Sequence, residues 1–154
     1  NRLDQVATVA DYLANEAEMG RNRPLKLGVT LGLVELLNNA IEHGNLEISG
    51  QDKADALAIS AGAYKALVET RLSDPELESR KVSVELLSTR ERAEWVISDQ
   101  GHGFDWQAVM RELDAPDPLE LHGRGIFLAT CYFDQVEYLG VGNVVRVRKR
   151  KGGS

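Results

Sequence analysis

The stretch Val82–Gly103, VSVELLSTRERAEWVISDQGHG, decides the fold. Val82, Val84 and Leu86 alternate with polar neighbours, and so do Ala93, Trp95 and Ile97. A period of two puts alternate side chains on one face of a strand. Arg90, Glu91 and Arg92 separate the two runs, so the stretch reads as an antiparallel hairpin with one apolar face. Downstream, QVEYLGVGNVVRVRKR reads as two further strands joined at residues 140–143.

Upstream of the hairpin the period is helical. Leu3, Val6, Val9, Ala10 and Leu13 are spaced for one apolar face of a helix over 3–19. Pro24 suits the first turn of a second helix, which runs to about His43 and stops at Gly44, a good C-terminal signal. LEISGQD reads as a loop or short strand. A third helix is predicted over 52–72, with Leu57, Ala61, Tyr64, Val68 and Leu72 on one side and SDP at 73–75 as its stop. A last helix covers about 124–133. Helices followed by antiparallel hairpins predict an α+β layer, with helices on one face of a mostly antiparallel sheet and the other face wet.

The 154 residues suit one domain, which can bury a core without staples. With 43% hydrophobic and 27% charged residues the composition is that of a soluble globular chain. A net charge of −6 argues against a general nucleic-acid surface. The basic cluster Arg146, Arg148, Lys149, Arg150 and Lys151 reads as a solvated tail over 146–154. The one cysteine, Cys131, excludes an internal disulfide. Its apolar surroundings read as a buried small hydrophobe, with a reactive thiol as the alternative. No apolar run approaches the ~20 residues of a membrane span, and no signal peptide is read at the start, so a cytoplasmic location is expected. The start at Asn1 is read as a cut from something longer.

Three stretches carry chemistry. In VELLNNAIEHG, Glu35, Asn39 and His43 are each four apart and line one side of a helix, widened by Asn38 and Glu42. A solvated face is the plain alternative, but paired Asn residues with no Lys are poor helix surface. Gly28 and Gly32 lie in the same helix, where each costs about 1 kcal/mol relative to Ala; they make sense if another chain or a ligand approaches closely. The second stretch is the strand end Asp99, followed by Gly101 and Gly103. A fixed carboxylate accepts well from an exocyclic amino group such as that of adenine, and glycines leave space for a flat ligand; an ordinary turn uses the same residues. In the third, HGRGIFLA, Gly123 and Gly125 open an apolar helix whose N–H groups suit phosphate, with Arg124 between them. Neither a Rossmann nor a Walker glycine pattern is present. The spacings of His43, His102 and His122 match no zinc pattern.

In this order the three stretches resemble the GHKL ATPase superfamily: Glu35 to His43 its N box, Asp99 to Gly103 its G1 box, Gly123 to Gly125 its G2 box. NAIEHGN resembles the anti-sigma factor serine kinases (RsbW-type) over about residues 25–150. The resemblance implies a Bergerat-type two-layer fold binding ATP and Mg2+. It implies that Asn39 holds the magnesium, Glu35 acts as base or orienter for the attacking hydroxyl, and Asp99 accepts from adenine. It further implies Gly101 and Gly103 at the base, and Gly123, Arg124, Gly125 and His43 around the nucleotide, under a lid over about 104–122. The implied activity is serine/threonine phosphorylation of a STAS-domain anti-sigma factor antagonist, with a sigma factor as further partner. Homodimerisation and fusion to receiver and phosphatase domains stay open. A segment over about 46–78 is extra relative to compact members and would dock another domain or cover core. The rivals are the ATP-binding domain of a sensor histidine kinase and a sequestering module with little catalysis.

Overall fold

A computed structural model describes residues 1–19, 22–113 and 124–151. Both hairpins form. Strands β1 (Ser83–Ser88), β2 (Arg92–Ser98), β3 (Gln135–Leu139) and β4 (Val144–Arg150) make one sheet in the order β1-β2-β4-β3, every neighbouring pair antiparallel. The register stacks two apolar rows on one face: Leu86, Trp95, Val147 and Val136, and Val84, Ile97, Val145 and Tyr138. Ala93, Trp95, Ile97, Val145 and Val147 are buried there.

Helices cover that face. After a 3-10 turn at Leu3–Gln5, α1 (Val6–Glu16) buries Val6, Ala10 and Ala14. Val9, expected on the same face, is exposed, because it lies to the side of the i, i+4 line the buried residues follow. Helix α2 (Arg23–Asn39) is capped by Asn22, whose side chain accepts from Leu25 N, and it buries Val29, Leu33, Leu36 and Leu37. Helix α7 (Arg124–Tyr132) lies alongside it. Phe133 meets Trp95 edge-on, with ring centroids 5.7 Å apart. A Cβ at Gly32 would sit 2.5 Å from the Phe133 ring, and one at Gly28 3.2 Å from Tyr132. The close approach read from these glycines is thus made by the chain's own α7, not by another chain or a ligand.

The predicted helix over 52–72 is two: α3 (Gly50–Ile59) and α4 (Ala61–Leu72). Ser60 separates them, because its extended backbone and its side chain, accepting from Ala63 N at 3.0 Å, make it an N-cap. Neither helix has a fully buried residue, although Leu67, Val68 and Leu72 pack partly against the core. Asp74 and Pro75 start a short α5 (Pro75–Ser79). Within the segment expected to be a lid, Trp106–Leu113 forms α6; residues 114–122 lie outside the described ones.

Two further expectations give way. The basic cluster is not a tail: Arg146, Arg148, Lys149 and Arg150 belong to β4, an inner strand. Alternation turns Arg146 and Arg148 to the outer face, where Glu94 pairs with both. Cys131 is exposed. Ala129 and Phe133 take the buried positions instead, and Cys131 falls on the far side of α7. No described helix is long and apolar enough to cross a membrane.

Candidate functional site

Glu35 and Asn39 are one turn apart on α2, and both line a cavity. At Ala40 the helix widens into a π-turn, Ala40–Asn45, closed by Leu46 N donating to Ile41 O at 2.8 Å. Such turns are rare and recur at functional sites. The helix therefore passes the expected stop at Gly44. The wider turn also changes which way its side chains face. An unbroken α-helix would set Glu42 beside Asn39, as its sequence spacing predicts. Instead Glu42 is buried, 4% exposed, and bonded to Lys53 and Tyr64; it does not line the cavity, nor does Asn38. His43 and Gly44 do. His43 Nδ1 lies 2.5 Å from Ile48 O. A carbonyl only accepts, so Nδ1 carries the proton and a neutral ring offers Nε2 as an acceptor.

Asp99 follows β2 directly. Its N–H donates to Asn143 O at 2.9 Å, and Asn143 Nδ2 donates to Asp99 O at 3.3 Å, so the strand pairing fixes the backbone. Gly101 N donates to Asp99 Oδ1 at 2.8 Å. Burial raises the Asp99 pKa above the ordinary carboxylate value, opposed by that N–H and by the charge of Arg80. The π-turn and this loop touch backbone to backbone. A Cβ on Gly44 would lie 2.4 Å from the Asp99 carboxyl carbon, and one on Gly101 2.4 Å from Gly44 O. Gly101 thus seats the loop from behind and is not part of the cavity lining. Gly103, at φ +77°, would drive a Cβ to 2.0 Å from Val141 O.

The start of α7 closes the third side. A Cβ on Gly125 would lie 2.9 Å from Glu35 Oε2 and 3.2 Å from Asn39 Nδ2. Only a glycine lets the helix start this close to both groups. Arg124 opens α7. Its side chain and all of Gly123 lie outside the described residues.

Glu35, Asn39, His43, Asp99, Gly103 and Gly125 share one cavity of about 690 Å³. Ile48, Ile97, Phe104, Ile126, Tyr138 and Val145 give it apolar walls, the usual setting for a small-molecule site with few polar groups. Sequence reasoning missed the wall formed by Glu47, Ser49, Gly50 and Lys53. A signal was present: Ser49 and Asp52 form a capping box that starts α3. It also missed Asn45, fully buried, whose Oδ1 accepts from Gln100 N and whose Nδ2 donates to Asn1 Oδ1, both at 2.8 Å. Asn45 holds the Asp99 loop to the π-turn. Arg80 braces the same region, donating to Glu47 at 2.7 Å and to Asn45 O at 3.2 Å.

The donor set suits a hard cation brought in with an anion. Among the described lining residues, the carboxylates of Glu35, Glu47 and Asp99 face one ammonium, Lys53, itself paired with Glu42. A polyphosphate alone would meet net negative charge here. The Asn39 amide and Glu35 carboxylate offer adjacent oxygens, and magnesium needs few protein ligands when phosphates supply the rest.

Residues 1–149 match the family model described as the histidine kinase-like ATPase domain. No curated protein matches the chain. With nearly the whole chain matched and the three motif stretches around one cavity, the chain belongs to the histidine kinase-like ATPase family, and the ligand of this domain is ATP.

Proposed function

We propose that the domain is a serine/threonine protein kinase of the anti-sigma type. It phosphorylates a serine on a STAS-domain antagonist protein and so governs that protein's partner, a sigma factor or a related regulator. The observation that carries this reading is the placing of the Glu35 carboxylate beside Asn39 and Gly125, in the cavity that Asp99 also lines.

Phosphoryl transfer asks a protein mainly to position groups and to balance charge. In this reading Asn39 contributes its amide oxygen to Mg2+, and Glu35 accepts the proton of the serine hydroxyl or orients it. Magnesium, when bound, neutralises phosphate charge. Asp99 accepts from the adenine amino group, with Gly103 alongside the base. Gly125, near the start of α7, sets the helix end toward the phosphates, and the resemblance assigns Gly123 and Arg124 to the same group. His43, its ring set by Ile48 O, adds an acceptor at the rim. The resemblance of NAIEHGN supports serine as acceptor over histidine.

Incubation with radiolabelled ATP and the STAS proteins of the same organism tests it. Acid-stable phosphoserine on the STAS protein is the expected product. Acid-labile phosphohistidine would assign a histidine kinase domain instead, and ATP binding with no transfer a sequestering module. Glu35→Ala should bind ATP yet lose transfer by about two to four orders of magnitude, the usual worth of a positioned base.

A further inference from the structure

The buried Glu42 carboxylate has no part in the chemistry above, although it lies in the turn between Asn39 and Gly44. Its two oxygens are divided between two residues of the α3–α4 hairpin: Oε2 with Lys53 Nζ at 2.5 Å, Oε1 with the Tyr64 hydroxyl. Lys53 Nζ also stands 5.7 Å from the Tyr64 ring centroid, within reach of a cation–π attraction. Burial, then the Glu42 bond, raises the Tyr64 pKa, so the phenol keeps its proton and donates. The carboxylate is buried with both oxygens engaged, while the Lys53 side chain stays one-third exposed and lines the cavity.

Two facts give it a consequence for the cavity. The first turn of α3, with Ser49, Gly50 and Lys53, is a wall of the cavity. Yet α3 and α4 bury no residue fully, so apolar packing does little to fix that wall. The base of the wall is tied to the turn that carries His43 and Gly44 by Ile48, whose N–H donates to Glu42 O at 2.8 Å and whose carbonyl meets His43 Nδ1. The Glu42 carboxylate is the side-chain link from that turn to α3 and α4 themselves. The carboxylate end of this bond is buried, so removing Lys53 leaves the Glu42 charge without its partner.

We propose that Glu42 is a positioning residue for nucleotide binding: through Lys53 and Tyr64 it seats the α3–α4 hairpin as a wall of the ATP cavity. This rests on ATP being the ligand of that cavity and not on the identity of the phosphate acceptor. Glu42 touches no nucleotide. It sets the distance between the π-turn and α3, and the segment that lengthens this chain between its first and second motif thereby becomes part of the site. A purely structural role would lower the melting temperature and leave affinity in the folded protein untouched.

The test is titration of a fluorescent ATP analogue with Mg2+ into wild type, Glu42→Gln, Lys53→Met, Tyr64→Phe and the Glu42→Gln/Lys53→Met pair, well below each melting temperature. Glu42→Gln and Lys53→Met should each weaken binding about tenfold, the effect of roughly 1.4 kcal/mol of lost positioning. The double variant should fall no further than the weaker single, because both break one link. Lys53→Arg should keep most of the affinity. Amide exchange over 50–53 should quicken in Glu42→Gln while that of α2 does not. A folded Glu42→Gln or Tyr64→Phe variant that binds within twofold of wild type would overturn the proposal, as would additive losses in the pair. Should Glu42→Gln fail to fold, Tyr64→Phe carries the same test, because Tyr64 bonds Glu42 without lining the cavity. Wild type failing to bind the analogue would instead remove ATP as the ligand, a separate outcome.

Discussion

Two walls of one cavity are built by different physics. The first consists of α2, α7 and the end of β2. It is held by close packing: the Phe133 ring against Gly32 and edge-on to Trp95, and Gly125 against the polar ends of Glu35 and Asn39. The second is the first turn of α3, held by the hydrogen bond that Lys53 donates to the Glu42 carboxylate and by the Glu47–Arg80 pair before it in the chain. Close packing tolerates neither added nor missing volume. A polar seat tolerates volume but depends on charge state. The packed wall carries the groups assigned to chemistry, and the polar wall shapes the space in front of them.

The largest effect that would break this contrast is on the packed wall. Trp95 is fully buried at the centre of the sheet, so Trp95→Ala should cost about 3–5 kcal/mol in urea unfolding. A loss under 1 kcal/mol would mean that the first wall is not set by packing. Gly32→Ala adds one methyl group where the Phe133 ring stands 2.5 Å away; overpacking of this kind costs about 1–3 kcal/mol. Its thermal midpoint should fall, and ATP affinity with it, because α7 carries Gly125.

Acid separates the walls more sharply. The Arg80 hydrogen bond, opposed by a smaller burial effect, holds the Glu47 carboxyl below its ordinary value of 4.5. A lowered carboxylate pKa means that its stabilisation is complete above the unfolded value and is lost as pH falls through the folded one. Amide exchange below pH 4.5 should therefore show residues 46–53 losing protection before α2 and α7. Simultaneous loss would contradict the division. The smallest effect is expected at Ile59, 79% exposed at the hairpin tip: Ile59→Ser should change stability by no more than about 0.5 kcal/mol. A larger loss in thermal melts would show that the hairpin is packed after all.

The same contrast explains what the sequence disclosed. The sheet was legible because Trp95 and Ile97 lie on a strict period of two, and pairing carries that period across strands. The packed wall was legible because its glycines and polar residues sit at fixed places relative to strand and helix ends. Glu42 was misread because an α-helical spacing was extended through a turn that becomes π-helical at Ala40, and no residue type marks that change. Asn45 lies just past the helix stop read at Gly44, and its partners Asn1 and Gln100 are 44 and 55 positions away. The β4 arginines resembled a tail because their pairing with Glu94 exists only once the strands are in register. Cys131 was judged by its neighbours in sequence, whereas helical phase decides its exposure.

Calorimetric titration of ATP, with and without Mg2+, into wild type, Asn39→Ala and Asp99→Asn tests the convergence of the motifs most directly. Wild type should bind with heat and more tightly with magnesium. Asn39→Ala should lose that magnesium dependence. Asp99→Asn should lose about 1.5–3 kcal/mol, the worth of a hydrogen bond to a charged group, equally with and without the metal. Unchanged affinity and unchanged magnesium dependence in both variants would mean that the amide-bearing helix and the strand-end carboxylate do not serve one nucleotide.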